Sequence, residues 1–365
     1  MITIVAVGDI MPGGILAGVD DGYASKEVLD ILNKADIRIG TLETAIGNEP
    51  TFYEEKMKRM ADVIYAQDHD LIKLQQLSID IVSLANNHFF DLGPEGAEHT
   101  IQLLDEMGIK HIGAGRNLEE AQMPVVKTIN GKRVVFLAFC DWRNETVGWC
   151  PYAAEDKAGV NPMYDDYVVD EIKKYKAQSD YVVVMPHWGK EHTWVTTNHV
   201  YAMAKKMRKA GADLILGSHP HRVQPIVNYR HASVAYSMGN FLFPDRLITK
   251  PRSTFYSNEP VDLSSLPVTD IYPYVEEVTF KKWKPLARIG MIVTSKLADN
   301  IVRSSYDFTL MGEDGILSLA KNTNNIDCIL KHREKMLKTG TYLLLFQIER
   351  YGGKVLRKLH ILKNN

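Results

Sequence analysis

The sequence predicts an α/β fold in which layered, largely parallel sheet is buried between helices and bordered by antiparallel edges. Three observations carry this expectation. Short runs rich in Val and Ile, such as "ITIVAVG" and "YVVVMPH", alternate with segments of helical period through the first two thirds of the 365 residues. These runs are apolar throughout, so neither face of the strands they form can be solvated, and helices must cover the sheet. Asn130-Gly131 between two apolar runs in "VVKTINGKRVVFLAF" is the strongest short hairpin signal and adds an antiparallel pair.

In chain order, strands are expected at "ITIVAVG", "IRIGTLE", "DIVSLAN", "HIGAG", "YVVVMPH" and "DLILGSH", with helices near 25–34, 63–77, 94–107, 168–178 and 197–210. A second hairpin is expected in "VQPIVNYRHASVAYSMGNF". Residues 244–285 are studded with proline and lack a clear period, which predicts a long surface segment and a boundary near residue 245. Beyond it, "RIGMIVTSKL" reads as a strand, 325–338 as a helix, and "YLLLFQIERYGGKVLRKLHIL" as a hairpin turning at Gly352-Gly353. The expected division is a main domain over 1–245, with 246–365 completing or covering it.

Composition excludes several classes. With 45% hydrophobic and 24% charged residues the chain is of ordinary globular type, and a net charge of −2 offers no field for nucleic acid or an anionic membrane. No run of 18 apolar residues occurs, and the apolar start is broken at Gly8 and Asp9, so neither a signal peptide nor a spanning helix is read and a cytoplasmic location is expected. The three cysteines, Cys140, Cys150 and Cys328, form no CxxC pair and predict free thiols, not a structural zinc cage.

Chemistry enters with "LILGSHPHRVQPI", where His219 and His221 flank Pro220 at a strand exit. A turn needs no imidazole, whereas neutral imidazole is the commonest metal ligand. Asp9, Glu43, Asn87 with His88, and His187 also stand at the exits of expected strands. The carboxyl ends of parallel strands converge on one edge, where α/β folds bind ligands. Taken singly, these residues pass as turn formers, a solvated carboxylate or a satisfied core histidine. Oxygen and nitrogen donors at five strand exits together point to one or two divalent transition metals, Mn, Fe or Zn. His88, adjacent to Asn87, is the candidate general acid or base, with Asp91 able to prop it. In "HWGKEH", Trp188 reads either as a site residue or as core packing, and Glu191 as a partner orienting His187.

The runs "VGDIMPGG", "TLETAIG", "SLANNHFFDLG", "GAGRNLEEA", "HWGKEH", "GSHPHRVQPI" and "YSMGNFLF" resemble the CapA family, the poly-γ-glutamate capsule synthesis proteins, over residues 1–245. The resemblance implies a metallophosphoesterase-like layered sandwich of two mixed β-sheets flanked by helices around a two-metal centre. It implies Glu43, Asn87, His187 and His219 around one ion and Asp9, Glu43 and His221 around the other, with His88 as acid/base. Asn86, Asp91, Trp188, Glu191 and Arg222 would support the ligands or meet substrate. The sequence departs from the wider fold's Asp-x-His at Asp9-Ile10-Met11, and Glu43 stands where aspartate is usual. The function implied is a metal-dependent enzyme of capsule or other cell-surface polymer metabolism, using a metal-activated water on a γ-glutamyl polymer or peptide, with membrane-bound capsule synthesis subunits as partners. Alternatives are a phosphoesterase for a small phosphoester, a peptide-epimerase type of acid/base catalyst, and a non-catalytic polyglutamate-binding subunit; fold alone does not choose among them.

Overall fold

The computed structural model describes residues 1–48, 63–141, 150–249, 253–255, 278–299 and 301–339. Its strands in chain order are β1 (Ile2–Ile10), β2 (Ile37–Leu42), β3 (Ala45–Ile46), β4 (Val63–Ala66), β5 (Ile81–Ser83), β6 (Lys110–Ile112), β7 (Ala114–Gly115), β8 (Val125–Ile129), β9 (Lys132–Cys140) and β10 (Gly159–Val160). They continue as β11 (Tyr181–His187), β12 (Leu214–Leu216), β13 (Ile226–Asn228), β14 (Ser233–Ala235), β15 (Arg246–Thr249), β16 (Ser253–Phe255), β17 (Val278–Lys281), β18 (Ile289–Ala298), β19 (Ile301–Met311) and β20 (Leu317–Leu319). Two mixed sheets dominate, one in the order β20-β19-β18-β1-β2-β5-β6 and one in the order β13-β14-β12-β11-β9-β8. The expected α/β sandwich of two mixed sheets flanked by helices is the architecture observed.

The apolar runs are buried for the reason the sequence implies. Along β9, Val134, Phe136, Ala138 and Cys140 enter the core shared by the two sheets. The alternate residues Val135, Leu137 and Phe139 pack on the helices Asp165–Lys176 and Asn198–Ala210 through Val168, Ile172, Val200, Met203 and Met207. Val28 and Leu32 of the helix Lys26–Leu32, with Ala97 and Leu104 of Gly93–Glu106, join the core of the first sheet. Both hairpins form, β8 with β9 and β13 with β14.

Three expectations need correction. Residues 63–66 are strand, not the start of a helix: Val63, Ile64 and Tyr65 are buried and pair with β16 and β3. The helical stretch begins only after a capping box between Gln67 and Asp70. "HIGAG" is two strands in different sheets, broken at Gly113, where φ is +92° and a Cβ would lie 2.6 Å from that of Ala85. The proline-studded segment contains β15, β16 and β17, which pair with β4 in a further sheet. The expected hairpin at Gly352-Gly353 lies outside the described residues.

What positions the site is a splay in the first sheet. β1 pairs antiparallel with β18 from Ile2 to Val7 and then parts from it. Residues 238–241, which follow β14 of the second sheet, enter the gap through the bridges Asp9↔Asn240 and Gly239↔Gly290. Two glycines allow this approach: a Cβ on Gly8 would sit 1.8 Å from the Gly239 carbonyl oxygen, and one on Gly290 1.8 Å from that of Asn240. The sheets are thus joined at the end where the donors emerge. Because backbone cannot yield as a flexible side chain does, Gly8→Ala is expected to lower stability by about 3 kcal/mol or more. Gly22→Ala, where φ is +72° and nothing lies within 4 Å, is expected to lose only about 1 kcal/mol, as read by denaturant melts of both variants.

Candidate metal centre

Each donor arrives from the end of a parallel strand or the turn after it. Asp9 is the penultimate residue of β1, Glu43 follows β2, Asn87 lies beyond β5, His187 ends β11, and His219 and His221 follow β12. Asp9, Glu43, His187 and His219 are wholly buried, while His221 and Asn87 keep a few percent exposure. His219 and His221 both have positive φ, +96° and +49°, conformations non-glycine residues rarely adopt. That strained turn around Pro220 aims two rings at one point, with centroids 6.1 Å apart, and His187 stands 4.7 Å from His219.

Two ligand sets share Glu43. One comprises Glu43, His187 and His219, the other Asp9, Glu43 and His221, and within each set the donor atoms lie within 4.8 Å of one another. Glu43 Oε1 is 3.5 Å from His187 Nε2 and 3.6 Å from His221 Nε2, and His221 Nδ1 is 3.5 Å from Asp9 Oδ2. Donors bonded to one ion at about 2.1 Å stand about 3.4 Å apart in a tetrahedral arrangement, close to the separations here. Asn87 Oδ1 lies 2.8 Å from His187 Nε2 and extends the first set.

The electrostatics call for a cation. Burial raises the Asp9 carboxyl well above its usual range, and the neighbouring Glu43 charge pushes it the same way. Burial lowers His187 to about 3 and His221 well below its ordinary value, with His219 adding to the latter, so His187 and His221 are neutral. Asp9 Oδ1 is buried without a hydrogen bond. Buried carboxylates ringed by neutral nitrogen donors suit a divalent transition metal. The donor set therefore fits the metal expected from the sequence, and it leaves the choice among Mn, Fe and Zn open.

The imidazoles are fixed from behind. Asn240 donates through Nδ2 to the Ala287 carbonyl at 3.0 Å, so its Oδ1 must accept from His221 Nδ1 at 2.7 Å. The lone pair of His221 is thereby placed on Nε2, the atom facing Glu43. His187 Nδ1 bonds Ser218 Oγ at 2.9 Å, and Thr41 donates to the same oxygen at 3.2 Å. Glu191, expected to orient His187, is instead a surface residue 4.0 Å from His192, because the chain has turned outward after β11. Trp188 is core: it donates to the Tyr236 carbonyl at 2.9 Å and stacks on that ring. Met11 is buried with Ile64, Phe243 and Trp283, so this part of the wall is apolar.

Asn86 donates to the Leu42 carbonyl at 2.8 Å and accepts from the His88 amide, which sets the turn carrying Asn87 and His88. His88 Nδ1 lies 2.8 Å from Asp91 Oδ2, and that buried carboxylate also accepts from Ile64 N. Arg222 donates to the His221 carbonyl at 2.7 Å. Sequence reasoning overlooked Asn240 and Ser218. Both stand beyond strand exits, where the rule that grouped the candidate ligands applies equally.

Comparison with known proteins follows from this geometry. A family model described as "Bacterial capsule synthesis protein PGA_cap" matches residues 3–245. The capsule biosynthesis protein CapA of Bacillus anthracis is 31% identical over 254 residues, which is 66% of this chain and 60% of that protein. The PGA biosynthesis protein CapA of Bacillus subtilis is 29% identical, over 65% of this chain and 62% of that protein. The chain thus spans about 60% of the length of these relatives. Among solved structures, an NAD nucleotidase of Haemophilus influenzae overlays with a TM-score of 0.41 at 10% identity, covering 88% of this chain and 60% of that one.

The depressed His187 imidazole makes a testable claim. Its ordinary value is 6.5 and its folded value about 3. Above pH 6.5 both folded and unfolded chains hold it neutral. Below that, the unfolded chain takes up a proton that the folded one refuses, so stability is lost as pH falls from 6.5 toward 3. Chelator-treated protein moved from pH 7.5 to 5 should therefore lose about 2 kcal/mol more stability than His187→Gln, read by denaturant titration.

Proposed function

The chain belongs to the bacterial capsule synthesis protein family, and from that premise we propose that it is a metal-dependent enzyme acting on a γ-glutamyl polymer or peptide. The observation that carries the reading is Glu43, a single buried carboxylate common to both ligand sets. In this reading Glu43, Asn87, His187 and His219 hold one divalent ion and Asp9, Glu43 and His221 the other. A divalent transition metal bound there supplies Lewis-acid activation of water and of a carbonyl oxygen.

The chain's own residues do the remaining work. Ser218 and Asn240 hold His187 and His221 in the tautomers that present Nε2 to the ions. Asp91 keeps the proton of His88 on Nδ1, which makes Nε2 the atom that accepts a proton from the attacking group or returns one to the leaving amine. Asn86 fixes the turn on which both neighbours depend. Residues 1–245 hold all of these groups, and the segment after 245 completes the sheet through β18 and the rim through Arg246 and Trp283.

The names of the relatives, capsule and PGA biosynthesis proteins, support a capsule polymer as substrate class, and membrane-bound capsule synthesis subunits are the partners this reading proposes. Among the described residues no helix is long and apolar enough to cross a membrane. A phosphoester substrate is the second reading, favoured by Arg222 beside His221.

Two measurements bear on these roles. Elemental analysis of His219→Ala and His221→Ala should show the larger loss of metal in His219→Ala, whose set has more nitrogen donors; equal and complete loss in both would mean that the sites do not separate. His88→Asn should keep its metal content and lower turnover by about 10²–10⁴ on whichever of γ-glutamyl peptides, phosphomonoesters and phosphodiesters the wild type turns over. A His88→Asn protein with full rate would remove His88 from the mechanism.

A further inference from the structure

Two cysteines that the metal chemistry does not use meet beside His187. Cys140 ends β9 and stands opposite His187 in the parallel register of β9 and β11. Its sulfur lies 3.9 Å from that of Cys150, and both thiols are free and buried in the core shared by the two sheets. Cys328, the third cysteine, is exposed on the helix Asn324–Thr339. Buried free cysteines commonly serve as small hydrophobes. Packing alone does not require two sulfurs in contact, or the chain beyond each of them tied to the same strand end.

Both members of the pair are anchored. Cys140 N donates to Asn161 O at 2.8 Å, and Met163 N donates to Cys140 O at 2.8 Å. The next residue, Asp141, donates its amide to His187 O at 2.9 Å. Beyond Cys150, Pro151 O accepts from Val160 N at 2.9 Å and Ala153 N donates to Val160 O at 3.0 Å. Between them the Tyr152 hydroxyl donates back to Asp141 O at 2.8 Å. The chain therefore returns to the end of β9 without a covalent link. Disulfide sulfurs stand about 2.05 Å apart, so the two must approach by about 2 Å, a distance of the order that rotation about χ1 moves a cysteine sulfur.

We propose that Cys140 and Cys150 are a disulfide-forming pair whose oxidation staples the flank of the metal centre. The oxidant is a low-molecular-weight disulfide. The thiolate of one cysteine attacks a sulfur of this reagent, the reagent S–S bond breaks, and one reagent thiol leaves. The other cysteine, as thiolate, attacks the protein-bound sulfur of the mixed disulfide, which forms the Cys140–Cys150 bond and releases the second reagent thiol. Two electrons pass from the protein thiols to the reagent, and their two protons end on its thiols. Burial admits the reagent only when this corner opens, so the reaction is slow, and the same burial shields the finished bond from reductants. Closing the loop between residues 140 and 150 limits the openings by which Asp141 parts from His187. This chemistry is independent of the substrate assigned to the metal centre.

The test uses the full chain carrying Cys328→Ser, which removes the exposed thiol. It is incubated with oxidised glutathione at about pH 8, then unfolded, alkylated and digested, with dithiothreitol-reduced protein as the reference. After oxidation neither cysteine should alkylate, and the peptides containing Cys140 and Cys150 should be joined. In the intact oxidised protein, hydrogen exchange at the Asp141 amide should be about 10-fold slower than in the reduced form. Two alkylated cysteines, or glutathione retained without the joined peptides, overturn the pair. Joined peptides with exchange at Asp141 unchanged or faster overturn the staple. Either result leaves the metal-centre and substrate readings standing.

Discussion

Two carboxylates buried side by side repel one another, and water is not present to dilute the repulsion. Asp9 and Glu43 stand in this position, and His187 and His221 beside them are kept neutral by the same burial. A divalent cation held between them would offset both the repulsion and the cost of burial. The rest of the molecule is arranged to hold this strained set in place: positive φ at His219 and His221, tautomers fixed by Asn240 and Ser218, and a turn clamped by Asn86.

Joining the two sheets is what makes such a set affordable in a rigid frame. Parallel strands deliver their carboxyl ends to one edge, but each sheet alone supplies only part of the donors. The first carries Asp9, Glu43 and Asn87, and the second carries His187, His219, His221 and Asn240. Residues 238–241 cross from the second sheet into the splay between β1 and β18, so the register of Asp9 against Asn240 is set by backbone hydrogen bonds, Asp9 N to Gly239 O at 3.0 Å and Phe241 N to Asp9 O at 2.9 Å. Backbone pairing of this kind fixes position more tightly than side-chain packing does.

Much of this was legible in the residues, for physical reasons. Strands buried on both faces announce themselves as unbroken apolar runs, and donors placed where those runs stop have few structural uses, which is why Asp9, Glu43, Asn87, His187, His219 and His221 could be grouped without coordinates. What was hidden depends on contacts between distant segments. Residues 63–66, Val-Ile-Tyr-Ala, carry strand-forming side chains, but so short a run merges with the helical period that follows it until pairing with β3 and β16 makes it strand. Glu191 lies four residues past His187 yet points away, whereas Ser218 reaches it from another strand. Arg246 and Trp283 sit in a proline-rich stretch whose composition signals only a surface path, and nothing local tells that it returns to His221.

The pairing of β1 with β18 sets an order of events during synthesis. β1 leaves the ribosome well before β18, and its inner edge, Ile2 to Val7, has its antiparallel partner at Ile292 to Leu297. At about 5–20 residues per second, that partner follows on the order of tens of seconds later. In the interval a buried, strongly β-forming strand has one edge with nothing of its own chain to close it. Such an edge is a template for other chains, and a protein built this way has reason to keep nascent β1 shielded until the hairpin of β18 and β19 arrives.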